Sequence, residues 1–237
     1  MPGRSRGSRR APLSRSIFSE EAPIIVGQND ATPAPNRGAE GEVEVSVPLA
    51  GALEALDRAL RTRATAPEVL QLLDQGVAHL LDEVDAEAGS LLVLDKKTED
   101  LVFVIVRDGV AKDKLQWRRV PCGHGIAGSA LAGGAPVLVN ETMWDERFFA
   151  FFDREFGFKT KNVLAVPLIH EGEKLGVIEA INKRGSALFT AGNVATMRSF
   201  CAVAAALLHD LENRGESTVP PDSNNELRRP SGADDVP

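Results

Sequence analysis

The strongest hydrophobic signal lies between Asn162 and Lys183, NVLAVPLIHEGEKLGVIEAINK, where two apolar runs flank a short charged segment. The first, Val163 to Ile169, is almost unbroken by polar residues, as expected of a strand buried on both faces. The second, Leu175 to Ile181, carries one carboxylate, Glu179. Between them, His170-Glu171-Gly172-Glu173-Lys174 offers a glycine for φ > 0 and enough charge to stay in water, so the pair predicts a β-hairpin. Pro167 cannot donate to a ladder, which calls for an edge or a bulge on one side of the first strand.

Elsewhere the period switches between helix and strand. Leu49, Leu53, Leu56 and Leu60 fall on one helical face. A second helix starts at the capping-box pattern Thr65-Ala66-Pro67-Glu68, continues through Leu70, Leu73, Val77, Leu80 and Val84, and ends near Asp85. Ala88 to Asp95 and Leu101 to Arg107 predict two antiparallel strands across the polar turn Lys96 to Asp100. Asp108-Gly109 is a turn signal, and Leu115 to Val120 predicts a third, more polar strand near an edge.

The run Gly123 to Gly128 lacks the Lys-Ser/Thr of a phosphate-binding loop and the glycine spacing of a dinucleotide fold. It reads instead as the start of a helix near Gly125 that stops at Gly133-Gly134, with N-terminal amides suited to an anion. Val137 to Val139 is a short strand. Finally, Thr190 is a plausible N-cap for a long helix whose Val194, Met197, Cys201, Ala204, Leu208 and Leu211 form a seam. The period leaves open whether that seam meets the sheet, another helix or a second copy of the chain.

Composition divides these elements from their flanks. Residues 1–47 and 215–237 are dominated by Pro, Gly, Ser, Arg, Asp and Asn, and their few apolar patches, such as Ile24-Ile25-Val26, are too short to offset ordering entropy. The expectation is a disordered arm at 1–47, one domain at 48–214 and a disordered tail at 215–237. The arm is locally basic, with Arg4, Arg6, Arg9, Arg10 and Arg15 ahead of Glu20 and interspersed with Ser5, Ser8, Ser14 and Ser16. It is either a solvated tail or a contact for an anionic partner that phosphorylation releases. A net charge of -7 argues against nucleic acid as the main partner. No run of roughly 18 to 20 apolar residues is apparent, so a cytoplasmic protein without a membrane span is expected. Cys122 and Cys201, and likewise His79, His124, His170 and His209, lack metal-ligand spacing, so no metal site is expected.

Glu141 to Phe158 concentrates Trp144 and the phenylalanines 148, 149, 151, 152, 156 and 158, either as a satellite core or as the lining of an apolar pocket. That choice is informed by a resemblance. TKNVLAVPL, the Glu-Gly turn, LGVIEAINK and Phe189, together with the upstream GHGIAGSALAGGAPVLVN, are similar to the matching elements of GAF domains, nearest to those of cyclic-nucleotide phosphodiesterases and related bacterial regulators. The resemblance covers about half of 48–214. It implies an α+β fold: a central, largely antiparallel sheet with terminal helices on one face and a helical lid over a pocket on the other.

By the same resemblance the pocket is lined by Ser90, Ala127, Phe149, Asp153, Thr160 and Glu179. Two positions depart from the phosphodiesterase pattern. Asn193-Val194 stand where an Asp-Glu pair closes the motif, and Phe156 replaces a small hydroxyl residue of the lid. Both argue against cyclic-nucleotide specificity, and the ligand and any cofactor stay unnamed. The implied function is a small-molecule sensor that signals through a downstream protein partner, and the alternative is a dimerisation and interaction module with a vestigial pocket. The leucine seams suggest a homodimer. Some GAF domains reduce free methionine sulfoxide with paired cysteines, but here Ala127 occupies the equivalent cysteine position and Cys122 and Cys201 are far apart in sequence, so no enzyme is expected.

Overall fold

A computed structural model of the chain describes residues 23–26, 46–107, 112–148, 150–185 and 187–220. In chain order its elements are β1 (Ile25–Val26), α1 (Val47–Thr62), α2 (Ala66–Glu83), β2 (Ala86–Asp95), β3 (Asp100–Arg107), α3 (Lys112–Leu115), β4 (Arg119–Pro121), α4 (Gly125–Gly133), β5 (Val137–Val139), a 3-10 turn (Thr142–Trp144), α5 (Phe151–Phe156), β6 (Val163–His170), β7 (Glu173–Lys183) and α6 (Ala191–Asn213). The strands form one sheet in the order β1-β5-β6-β7-β2-β3-β4, and every pairing is antiparallel except β1 with β5. The predicted hairpin, β6–β7, is its centre.

That position follows from composition: Val163 to Leu168 are all buried, as an unbroken apolar run requires. Pro167 is accommodated because β5 pairs only Val163 to Ala165, leaving the proline's missing N–H opposite no strand. The β6–β7 register then shifts between Leu168 and Ile169.

Each sheet face has its own core. On one, Leu49, Leu56, Leu73, Leu80, Phe200, Leu208 and their neighbours pack α1, α2 and α6 onto the strands. On the other, Ile126, Ala127, Ala130 and Leu131 of α4 pack against Leu92, Phe103, Val163 and Val177. Helix starts are set by their caps. Both Thr65 N and Oγ1 donate to Glu68 Oε2, at 2.8 and 2.9 Å. At α6, Thr190 N donates to Asn193 Oδ1 (3.1 Å) while Asn193 N donates to Thr190 Oγ1 (3.4 Å). Asn193, a departure from the phosphodiesterase motif, thus serves the helix start.

Several expectations are corrected. Ile25 and Val26, assigned to the disordered arm, form β1: a two-residue strand needs no core of its own when β5 offers a free edge, and Ile25 N also donates to Pro136 O at 2.7 Å. The packed region also continues past residue 214. Glu216 Oε2 accepts from Ala66 N at 2.9 Å, satisfying an amide at the start of α2, and Thr218 and Val219 are buried behind it. The rest of the arm and tail, and the Asp108-Gly109 turn, lie outside the described residues. Leu115 to Val120 is not one strand: α3 ends at Leu115, Trp117 takes φ +71° with its N–H on Phe103 O (2.7 Å), and only Arg119–Pro121 pairs with β3.

The seam of α6 faces the sheet and neighbouring helices, with Val194, Met197, Cys201, Ala204, Leu208 and Leu211 all buried. Leu53 and Leu60 of α1 pack on the same core, so the unused apolar stripe invoked for a homodimer is taken up inside one chain. By length and composition α6 is apolar enough to cross a bilayer, which the sequence reading overlooked; half of that stretch is buried inside the fold.

Candidate functional site

The α4 face of the sheet carries a half-open cavity of about 140 Å³, bordered on the lid side by Phe148, Asp153, Phe158 and Thr160. Its floor is β2, β3 and β7; its walls are the start of α4 and the aromatic segment. Ser90, Ala127, Asp153, Thr160 and Glu179, five of the six expected site residues, all line it. Phe149 lies outside the described residues, but Phe148 and Phe158 from the same aromatic run are part of the wall.

Sheet register explains the floor. Ser90 and Glu179 are direct cross-strand partners of β2 and β7, and the Ser90 hydroxyl donates to Glu179 Oε2 at 3.3 Å. Glu179 is the one carboxylate in the apolar run Leu175–Ile181 of β7. Desolvation dominates over the Ser90 hydrogen bond and pushes its carboxyl up to about 7. The site therefore offers, near neutral pH, a carboxyl that donates or accepts with little change in free energy.

This shift has a stability consequence. The unfolded carboxyl ionises at about 4.5 and the folded one at about 7, so across that window the folded state holds the extra proton. Stability contributed by this group is complete below the lower value and is lost as pH rises to the upper one. Allowing for water at the cavity wall, we expect Glu179→Gln to stand about 2 kcal/mol more stable relative to wild type at pH 8 than at pH 4. Urea unfolding of both proteins across that range measures the difference, and a constant offset contradicts the buried carboxyl.

The lid is tied down at both ends. Thr160 N and Oγ1 donate to the two oxygens of Asp153, each at 2.7 Å, and Thr142 Oγ1 donates to Thr160 O at 2.6 Å. Asp153 was expected to meet ligand; its carboxylate fixes the exit of the lid while facing the cavity. Arg118 grips Glu155 on α5 through two bonds, Nη1 to Oε2 at 3.1 Å and Nη2 to Oε1 at 3.0 Å. On the far side, Asn182 accepts from Lys161 N (2.7 Å) and donates to Lys159 O (2.9 Å) and Glu87 Oε2 (3.1 Å). The Asn-Lys pair of the motif is thus a clamp on the lid: Lys183 N donates to Asn162 Oδ1 at 2.7 Å, and its Nζ to Val84 O at 2.8 Å.

The sequence reading missed Arg107 and His124, both of which line the cavity. Arg107 donates to Asp74 Oδ2 at 2.7 Å, and its Nε is buried with no hydrogen-bond partner among the described residues. His124 is the N-cap of α4 and could have been suspected from its place before Gly125. Nothing in sequence brings Arg107 there; β3 must first lie beside β2. The lining is mostly apolar with polar groups on the floor (Ser90, Glu179) and in the walls (His124, Asp153, Thr160), suited to a small, mostly apolar molecule with a few hydrogen-bonding edges.

Comparison with known proteins accords with this architecture. A family model described as GAF domain matches residues 66–209. Over 136 residues the chain is 36% identical to the dual 3',5'-cyclic-AMP and -GMP phosphodiesterase 11A of Takifugu rubripes, a match covering 51% of this chain and 15% of that protein. Among solved structures, the GAF domain of a phosphoenolpyruvate-protein phosphotransferase from Coxiella burnetii is similar with a TM-score of 0.59 at 20% identity, covering 71% of this chain and 96% of that one. The free methionine-R-sulfoxide reductase of Neisseria meningitidis, in complex with its substrate, is similar with a TM-score of 0.54 at 18% identity, covering 72% and 96%. The structural likenesses concern the fold alone. The chain spans 15% and 18% of the length of the curated phosphodiesterases it matches.

Proposed function

The chain belongs to the GAF domain family, and on that premise we propose that it is a regulatory protein that holds a small molecule beneath its lid and conveys the state of that site to a partner protein. The observation that carries this reading is the cavity itself. It persists under a lid secured by Asp153, Arg118 and Asn182, and Ser90, Glu179 and His124 are among the residues that line it. A vestigial site would be expected to fill with its own aromatics, because empty apolar space forfeits packing.

The polar groups also bear on ligand class. Glu179 and Asp153 face the cavity, and Arg107 is already paired with Asp74. Among the described lining residues, the nitrogen donors left for a phosphate are His124 and the start of α4, which supports a neutral or cationic ligand over a cyclic nucleotide. The cysteines support a role without catalysis: Cys122 is exposed, whereas Cys201 is buried on α6, where burial pushes its thiol up, away from the reactive thiolate. A cytoplasmic location belongs to the same reading. So does a homodimer, whose contact would lie outside the seams buried within one chain.

Thermal shift against a panel of metabolites and nucleotides tests the proposal, because a ligand confined to the folded state raises the melting temperature. We expect a shift for wild type and a weaker affinity, by roughly 1–3 kcal/mol, in Asp153→Ala, where the lid exit is released. One observation favours the alternative interaction module: Met143 and Trp144, in the turn at the lid's edge, are 77% and 61% exposed. A panel without a single shift would favour that reading.

A further inference from the structure

We propose that the turn of the β6–β7 hairpin and the C-terminal part of α6 bind a first-row transition-metal dication, Zn²⁺ foremost, through His170, Glu171 and His209. The site is separate from the cavity and does not depend on what the cavity holds. His170 ends β6, Glu171 follows it in the turn, and His209 arrives from α6. Only the fold brings them together, since His170 and His209 stand 39 positions apart in the chain. Residues without metal-ligand spacing in the sequence are thus neighbours in the fold.

The geometry suits an ion. One nitrogen from each histidine and one oxygen of Glu171 all lie within 4.8 Å of one another, so a centre between them is no more than about 2.8 Å from each. Rotations moving each donor by less than about an ångström reach the 2.0–2.2 Å of zinc bonds. Glu171 takes φ +50°, a left-handed conformation, within the hairpin turn. The rings of His170 and His209 have their centroids 5.0 Å apart and are tilted by 53°, so the two imidazoles are direct neighbours.

The donor set selects the metal class. Two imidazoles and a carboxylate suit zinc and its first-row neighbours, whereas magnesium and calcium prefer all-oxygen shells. Both histidines are half-buried and Glu171 is exposed, so an ion has access. The neighbourhood is acidic. Glu173 Oε2 lies 3.9 Å from His209 Nε2, and Lys96, the nearby cation, is bound by Glu173 at 2.9 Å and Glu212 at 2.7 Å. Glu173 could also fill the fourth position that three protein ligands leave to water. Asn213 Nδ2 sits 3.3–3.4 Å from the His209 ring nitrogens and would have to yield on one side.

An ion here would join the central hairpin to the end of α6, just before the Arg214–Glu216 segment that braces α2. Binding is measured on the untagged full chain by competing Zn²⁺ from a chromophoric chelator, with thermal unfolding alongside. We expect one Zn²⁺ per chain at micromolar affinity or better and a raised melting temperature, with no competition by Mg²⁺. His170→Gln and His209→Gln should each weaken Zn²⁺ about tenfold or more while the metal-free circular dichroism stays that of wild type, and Glu171→Gln should weaken it less. Unchanged binding in the His170→Gln/His209→Gln double variant would assign the ion elsewhere and overturn the proposal. So would the absence of saturable binding in wild type, which would leave the histidine pair as aromatic packing only.

Discussion

Gly176→Ala is expected to lower the free energy of unfolding by about 3 kcal/mol or more, because a methyl group there has no room and its obstacle is backbone. A Cβ built on Gly176 of β7 collides with the carbonyl oxygen of Leu92 on β2 and comes within 3.1 Å of Val93 Cα. The two strands are central and paired across Val93 and Gly176, so the clash cannot be relieved at an edge. Gly89 faces the same limit from the other strand, its added Cβ lying 2.5 Å from both the Glu179 carbonyl oxygen and Leu81 Cδ2. Close approach of β2 and β7 also places Ser90 against Glu179, so an alanine at either glycine should disturb the cavity floor as well as stability. Gly51 is the control: on an exposed part of α1 an added Cβ meets nothing within 4 Å, and Gly51→Ala should be neutral or stabilising by about 0.5–1 kcal/mol. Urea denaturation midpoints of the three variants decide the matter, and similar midpoints throughout would contradict the packing.

Asn182→Ala is the second large effect, at about 3–4 kcal/mol from two separable causes. Asn182 has φ +56°, a left-handed conformation that asparagine tolerates better than alanine. Its buried amide serves Lys161 N, Lys159 O and Glu87, so truncation strips partners from the backbone where the lid returns to β6. Asn182→Gly relieves the dihedral cost and leaves the hydrogen-bond loss, and should recover about 1 kcal/mol of the deficit. Hydrogen exchange should show the faster opening concentrated in residues 158–162. A destabilisation spread evenly over the sheet would contradict the clamp.

What the sequence disclosed and what it withheld follow from the range of the interactions. The β6–β7 hairpin, the capping box at Thr65 and the N-cap at Thr190 rest on local patterns, and the β2 and β7 positions Ser90 and Glu179 on a motif with its own spacing. They were legible because the deciding residues lie close together or within recognised elements. The strand Ile25–Val26 was not, since two residues derive their order from β5, more than a hundred positions away. The same holds for Glu216 on Ala66 and for Arg107 at the cavity. Leu115 to Val120 misled for a different reason: its apolar spacing suits a strand, but left-handed Trp117 breaks the run. The leucine seams were read correctly as helical, and only their partner could not be inferred, because an inward and an outward stripe have the same period.

The central claim is that the space beneath the lid holds a small molecule, and it is tested most directly by mass spectrometry of compounds released from the natively purified full chain. Wild type should release one compound in near-stoichiometric amount. Ala127→Leu, which extends a side chain from α4 into that space, should release none of it while keeping the circular dichroism of wild type. A wild-type protein that emerges empty, or an Ala127→Leu protein that retains the same compound, would contradict the account.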